Sequence, residues 1–147
     1  MSKKIKYIFS LSILILLFSG FLLLQNYTQI SQPVVTHMNI SGEADKFGDK
    51  INLVYALLAN AGILAFILFF IWKPQFANYP FEITETTREP SYRKMQLFLA
   101  VLCIITSIAF NFMILKAIKE TNLFLYLISF IMFVTIMIFR FNKNDFN

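Results

Sequence analysis

Pro33–Lys50 reads Pro-Val-Val-Thr-His-Met-Asn-Ile-Ser-Gly-Glu-Ala-Asp-Lys-Phe-Gly-Asp-Lys. This segment contains the only histidine of the chain, three of its eight acidic residues and two of its four glycines. Long apolar runs precede and follow it, so polar chemistry is concentrated here. We therefore expect the rest of the chain to serve as a scaffold for this segment.

The composition around this segment indicates a membrane protein. Of the 147 residues, 58% are hydrophobic and only 14% are charged, which is too apolar for a soluble domain of this size. The formal charge of +5 comes from short basic clusters beside apolar runs, which favours a topology signal over nucleic-acid binding. The single cysteine, Cys103, excludes an intramolecular disulfide and a cysteine-based metal site.

Four uncharged runs are each close to the roughly 20 residues that cross a bilayer as a helix. They predict an all-α membrane protein, a single domain over residues 1–147 with a folded extracellular loop between helices 1 and 2 and spans at about 7–24, 51–72, 97–115 and 123–139. The first run is too long for a signal-peptide core and no Ala-x-Ala-like site follows it, so we expect an uncleaved span.

The distribution of basic residues predicts the orientation of these spans. The N-terminus, the second connection and the C-terminus together hold nine Lys and Arg, whereas the other side holds four. Because basic residues are retained in the cytoplasm, we expect both termini inside a bacterial cell membrane and the Pro33–Lys50 loop outside.

Small and polar residues recur at helical spacing within the spans. The sets are Cys103, Ser107 and Asn111; Ala56 and Asn60; and Ala61 and Ala65. Such patterns are typical of helix-to-helix contacts. An ion or substrate path is the alternative, but the spans contain no ionisable acid or base of the kind such paths use.

The two long connections each carry a local structural expectation. In the first, Val34–Ile40 suits a short strand that ends at a Ser41-Gly42 turn, and Asp49 can cap the second span. We expect His37 and Asn39 to form hydrogen bonds across the loop, Asp45 to accept from backbone donors in a turn, and Lys50 to lie at the headgroup level. In the second, Tyr79 and Pro80 would fix the end of the second span, and Thr84 would cap a short helix leading to Tyr92.

Few residues of the chain are candidates for chemistry. His37, Glu43 and Asp45 are weak metal ligands, because their spacing matches no zinc or calcium motif. Ser41 near His37 lacks the Gly-x-Ser-x-Gly nucleophile elbow, and no glycine-rich phosphate loop is present. We therefore expect no catalytic residue, no cofactor and no metal, while a membrane enzyme or metal-dependent factor that uses His37 and the loop carboxylates stays open as the alternative.

Two motifs resemble one bacterial membrane family. The segment Thr36–Lys50 is similar to Thr-His-aromatic-Asn-x-x-Gly-x-x-Asp-x-aromatic-Gly-x-Lys, with Met38 in place of the first aromatic residue. The segment Asn78–Glu85 is similar to Asn-Tyr-Pro-x-x-Ile-Thr-Glu after the second span. Both are hallmarks of the family known as domain of unknown function 1648, the N-terminal part of SdpI-type immunity proteins.

The resemblance implies a noncatalytic immunity protein of a Gram-positive cell membrane. Such a protein gives self-protection against a secreted membrane-active peptide toxin or bacteriocin, and can signal to a cytosolic repressor, without binding nucleic acid itself. The toxin-interacting or loop-structuring residues would be Thr36, His37, Asn39, Gly42, Asp45, Gly48 and Lys50. The inner-loop motif would be Asn78, Tyr79, Pro80, Ile83, Thr84 and Glu85.

Overall fold

The structure is a computed structural model that describes residues 1–39, 41 and 43–118. Within these residues the chain forms helix α1, strands β1 and β2, helix α2, a 3₁₀ turn and helix α3. Their bounds are Lys3–Asn26, Val34–Met38, Ala44–Gly48, Ile51–Trp72, Pro74–Phe76 and Arg88–Ile118.

The three α-helices are long and apolar enough to cross a membrane. The first three predicted spans all lie within them, and the prediction for residues 51–72 coincides with α2. At about 1.5 Å per residue, α2 extends about 33 Å, which matches the hydrocarbon thickness of a bilayer. The predicted fourth span, 123–139, lies outside the described residues.

Helix α3 packs against both α1 and α2, which contact each other less. Its face towards them carries small residues, including Ala100, Cys103 and Ser107, all fully buried. Because small side chains let helix backbones approach closely, this face explains how α3 can pack against both of the other helices.

Two apolar clusters fill the space between the helices. The first joins residues near the start of α1 to the C-terminal half of α2 and the N-terminal half of α3: Ile5, Phe9, Leu64, Ile67, Ile71, Ala100 and Cys103. The second lies at the opposite ends of the helices: Leu23, Ile30, Val34, Leu53 and Ile114. Successive helices therefore run in opposite directions, and α1 and α3 run the same way.

A polar layer separates the two clusters. Asn111 Nδ2 donates to Ser19 Oγ at 2.7 Å, and Ser107 Oγ donates to Asn60 Oδ1 at 3.4 Å. The second pair is buried and Asn111 is half-buried, so the predicted helix-to-helix role of Asn60, Ser107 and Asn111 is confirmed. The predicted helix-to-helix contact at Ala61 and Ala65 is not formed among the described residues. Ala65 is exposed and belongs to neither of the two apolar clusters.

Helix α3 begins earlier than the apolar run indicates. It starts at Arg88, and the charged segment before residue 97 continues into the apolar part without a break. The prediction of a separate short helix leading to Tyr92 is therefore wrong. Where the helix leaves the apolar region, water can solvate charged side chains such as Arg93, so hydropathy does not report the helix start.

Candidate functional site

The candidate site is a β-hairpin, formed by β1 and β2, between α1 and α2. The strands are antiparallel and pair Val34 with Gly48 and Val35 with Phe47. Further along, His37 pairs with Lys46 and Met38 with Ala44, so the register shifts twice. These shifts leave Thr36 on β1 and Asp45 on β2 without a directly opposite residue, as in β-bulges. The predicted strand is thereby confirmed from Val34 to Met38.

The hairpin is attached to the helices at its base. Val34 is 4% exposed and packs in the second apolar cluster with Leu23, Leu53 and Ile114. Ile30, which precedes the strand, belongs to the same cluster. An isolated two-stranded hairpin is marginally stable in water, so this packing stabilises the hairpin and holds it on the ends of the helices.

His37 and Asp45 form a close contact across the hairpin. His37 Nδ1 lies 2.6 Å from Asp45 Oδ1, and both side chains are exposed. The predicted hydrogen bond of His37 across the loop is confirmed. The partner of Asp45 is different from the one predicted, because its carboxylate contacts the imidazole and not backbone donors in the turn. The register shift at Asp45 explains how its side chain reaches His37.

Asn39 and Glu43 enclose the turn of the hairpin with three hydrogen bonds. The Asn39 amide donates from Nδ2 to Glu43 Oε2 at 3.0 Å, and the Glu43 backbone N–H donates to Asn39 Oδ1 at 2.9 Å. The Asn39 backbone N–H also donates to the Glu43 carbonyl oxygen at 2.9 Å. These bonds confirm the predicted cross-loop role of Asn39. The Glu43 carboxylate is therefore hydrogen-bonded within the hairpin.

Asp49 joins the hairpin to α2. Its Oδ1 accepts a hydrogen bond from the N–H of Ile51, the first residue of α2, at 2.9 Å. Its carbonyl oxygen accepts from Asn52 Nδ2 at 2.8 Å. The first N–H groups of a helix lack intrahelical partners, so a carboxylate at this position stabilises the helix start. The predicted capping by Asp49 is confirmed.

Gly48 lies close against two neighbouring side chains. A Cβ atom at this residue would be 2.8 Å from Asn52 Nδ2 and 3.0 Å from Thr36 Cγ2. The packing of Thr36 and Asn52 around this position therefore favours glycine at the end of β2, because a larger residue would displace one of these side chains. This gives Thr36 and Gly48, both in the recognised motif, a packing role.

Lys50 contacts the end of α1. Its Nζ donates to the carbonyl oxygen of Tyr27 at 3.1 Å and lies 4.7 Å from the centre of the Tyr27 ring. The ammonium group thus neutralises the negative end of α1 and contacts an aromatic face. The position of Lys50 at the headgroup level stays a prediction. The structure shows in addition that Lys50 contacts Tyr27.

The exposed surface of the hairpin carries both charged and apolar side chains. Asp45, Lys46 and Phe47 on β2 are all exposed, Phe47 to 58%. Within the described residues, no group of three His, Cys, Asp or Glu side chains is arranged to hold a metal ion. The weak metal-ligand candidates have different bonding partners: His37 contacts Asp45, whereas Glu43 accepts a hydrogen bond from Asn39.

The second motif lies at the opposite end of the helices, between α2 and α3. The Tyr79 hydroxyl donates to the Pro74 carbonyl oxygen at 2.9 Å, and its ring lies 6.0 Å from those of Phe81 and Tyr92. Burial, together with the nearby Tyr92 hydroxyl, raises the pKa of Tyr79 to about 12. Tyr79 therefore links the 3₁₀ turn to the first turns of α3.

The other residues of this motif surround the link. Asn78, Pro80 and Glu85 are exposed and Ile83 is half-buried. Thr84 forms a turn with Thr87, in which the N–H of Thr84 donates to Thr87 Oγ1 at 3.0 Å and the N–H of Thr87 donates to Thr84 Oγ1 at 3.3 Å. This turn precedes α3 directly, and the two motifs do not meet in space.

Some contacts around the site were not anticipated. Asn52 supports Asp49, and Tyr27 receives Lys50, although neither residue was singled out. Gln96 was also missed, and its Nε2 donates to the carbonyl oxygen of Ile71 at 2.7 Å. Gln96 directly precedes an apolar run, and a polar residue at that position was the sequence feature that could have indicated a buried hydrogen bond.

The geometry defines a class of protein: three apolar helices of membrane-spanning length, with a β-hairpin docked on one end. Residues 14–61 match the family model described as "Domain of unknown function (DUF1648)". This match includes the whole hairpin, so the resemblance inferred from Thr36–Lys50 is confirmed for that segment. No curated protein and no solved structure matches the chain.

Proposed function

We propose that this chain is a noncatalytic immunity protein of SdpI type in a bacterial cell membrane. It would protect its producer against a secreted membrane-active peptide toxin or bacteriocin. The observation that carries the proposal is the hairpin itself: it is internally bonded, docked on the helix ends and exposed along β2. A surface that is ordered before binding avoids much of the entropy loss of ordering a loop on its partner.

The proposed arrangement places the hairpin outside the cell and both termini in the cytoplasm of a Gram-positive organism, with a fourth span after α3. The nine-to-four distribution of basic residues supports this orientation. In this orientation the second motif faces the cytoplasm, where the Tyr79–Tyr92 contact forms a surface next to exposed acids such as Glu82 and Glu85. A cytosolic repressor would bind there.

The test is protection of a sensitive strain. The full chain is expressed in bacteria that the producer's culture supernatant kills, and survival is measured at matched membrane levels. His37→Ala and Asp45→Ala each remove one side of the 2.6 Å contact but leave the apolar helices unchanged. We expect both variants to accumulate in the membrane and to lose most protection. Gln29→Ala, which changes an exposed residue before the hairpin, is the matched control and should protect fully.

Full protection by both variants would show that the hairpin is not the part that acts. The alternative function, a membrane enzyme or metal-dependent envelope factor, is favoured by the same His37–Asp45 contact, because a carboxylate often orients a catalytic or metal-binding imidazole. Stoichiometric metal in the purified protein, lost in His37→Ala, would support that alternative.

A further inference from the structure

The outer edge of β2, meaning the side of Ala44–Gly48 turned away from β1, has no third strand beside it among the described residues. Apart from the pairing with β1, the described part of the chain offers the backbone groups of Ala44–Gly48 no hydrogen bond. The central three residues of β2 are exposed, whereas Val34 at the base of β1 is buried. A row of exposed N–H and C=O groups is a template for another extended chain.

The charges on β2 disfavour a second copy of this strand as the occupant. Two copies related by a two-fold axis pair a central residue with itself. A register centred on Lys46 places two ammonium groups opposite each other, and one centred on Asp45 places two carboxylates opposite each other. A register centred on Phe47 brings Asp45 opposite Asp49 of the second copy. Like charges directly opposite each other destabilise a sheet.

The same side chains suit a different strand. Exposed Phe47 offers apolar surface, Lys46 a positive charge and Asp45 a carboxylate. An antiparallel strand would satisfy all three if it carried, in order, an apolar residue, an acidic residue and a basic residue. Backbone hydrogen bonds would supply affinity and these side-chain pairs would supply selectivity.

We propose that the outer edge of β2 binds an extended peptide by strand addition, forming a three-stranded sheet on the end of the helices. A third strand would also convert the hairpin into a three-stranded sheet, which is the number of strands needed for independent stability. The proposal rests on the proposed function only for the identity of the natural peptide, which would be a segment of the toxin. The strand-binding chemistry itself follows from β2.

The experiment uses the full chain in lipid nanodiscs and amide hydrogen exchange of Ala44–Gly48. The probe is a short synthetic peptide with an apolar residue, a glutamate and an arginine in that order. Two twin peptides are methylated on alternate backbone nitrogens, one in each phase. Successive N–H groups of an extended strand point to opposite edges, so one twin loses the donors that face β2 and the other keeps them. We expect the unmethylated peptide and one methylated form to slow exchange in β2, and the other methylated form to have little effect.

Charge exchange then tests the register. Lys46→Glu should weaken binding of the probe several-fold, and a peptide with lysine in place of its glutamate should restore binding to this variant. Lys73→Glu, at the other end of α2, is the matched control and should bind the original probe as the parent does. Failure of the lysine peptide to restore binding would overturn the proposed pairing with Lys46.

Three other results would overturn the proposal. The first is an equal effect of the two methylated forms, the second is slow exchange of β2 with lipid alone, and the third is cross-linking of Lys46→Cys to itself between copies in place of peptide binding. The protection assay is read separately. Peptide binding without protection would contradict the proposed immunity function but leave strand addition in place. Protection without peptide binding would contradict strand addition but leave the immunity function in place.

Discussion

Gln96 Nε2 donates a hydrogen bond to the carbonyl oxygen of Ile71 at 2.7 Å, so α3 satisfies a backbone group in the last turn of α2. The last four carbonyls of a helix have no intrahelical partner, and Ile71 is fully buried. Gln96→Leu keeps the approximate size of the side chain but removes the donor. We expect it to lower the free energy of unfolding by about 1–3 kcal/mol.

Unfolding by denaturant in detergent micelles measures this effect. Gln75→Leu is the control, since Gln75 is exposed in the 3₁₀ turn and should change stability little. Equal stability of Gln96→Leu and the parent protein would mean that the Ile71 carbonyl finds another donor at no cost.

The helices were predictable from the sequence to different degrees. The α2 bounds followed from hydropathy because Lys50 and Lys73 directly flank the uncharged run. The start of α3 did not, because the helix extends beyond its apolar part into residues such as Glu89. Backbone hydrogen bonds continue regardless of side-chain polarity, and hydropathy reports only the part of a helix that lipid could surround.

The site was predictable in its location and in part of its bonding. Asn39 and Glu43 are four residues apart around a turn, so their contact follows from the local sequence. The contact of Asp45 with His37 depends on two register shifts, which the sequence pattern does not reveal. The role of Gly48 depends on how closely β1 approaches Asn52, which is a tertiary property.

A comparison of two glycines tests the packing at the hairpin base. Gly48→Ala places a Cβ within 3.0 Å of two neighbouring side chains, so Asn52 or Thr36 must move. We expect faster amide exchange across β1 and β2 and easier proteolysis of the hairpin. Gly62→Ala is the matched control, because a Cβ there meets nothing within 4 Å and should be tolerated. Similar exchange in both variants would contradict the tight fit at Gly48.

The titration of Tyr79 tests the link between the 3₁₀ turn and α3. Its pKa is raised from 10.0 to about 12, so the folded protein retains this phenol proton at pH values where the unfolded chain loses it. The associated stability is therefore complete below pH 10 and is lost as the pH rises from 10 towards 12.

The measurement is the tyrosinate absorbance of the parent protein minus that of Tyr79→Phe in micelles. We expect the difference to develop close to pH 12. A Tyr79 transition at the ordinary pH of a free phenol would show that its contact with Pro74 is not maintained in solution.

The polar layer offers two hydrogen bonds of different length for comparison. Asn111 reaches Ser19 at 2.7 Å, whereas Ser107 lies 3.4 Å from Asn60. Double-mutant cycles with alanine at both positions of each pair give the two coupling energies. Hydrogen bonds between membrane helices average about 0.6 kcal/mol with a maximum near 1.7, and we expect the shorter pair to show the larger coupling. A larger coupling for Asn60 and Ser107 would reverse the order that the distances predict.

The orientation of the chain is tested by cysteine labelling in intact cells. With Cys103 replaced by serine, single cysteines are introduced at Ser41 in the hairpin and at Thr86 before α3, both of which are exposed. The distribution of basic residues predicts that the hairpin lies outside, so a membrane-impermeant maleimide should label the first position directly and the second only after permeabilisation. The Cys103→Ser background without a new cysteine gives the unlabelled control. Labelling in the reverse order would place the hairpin in the cytoplasm, and a secreted peptide could not reach it there without crossing the membrane.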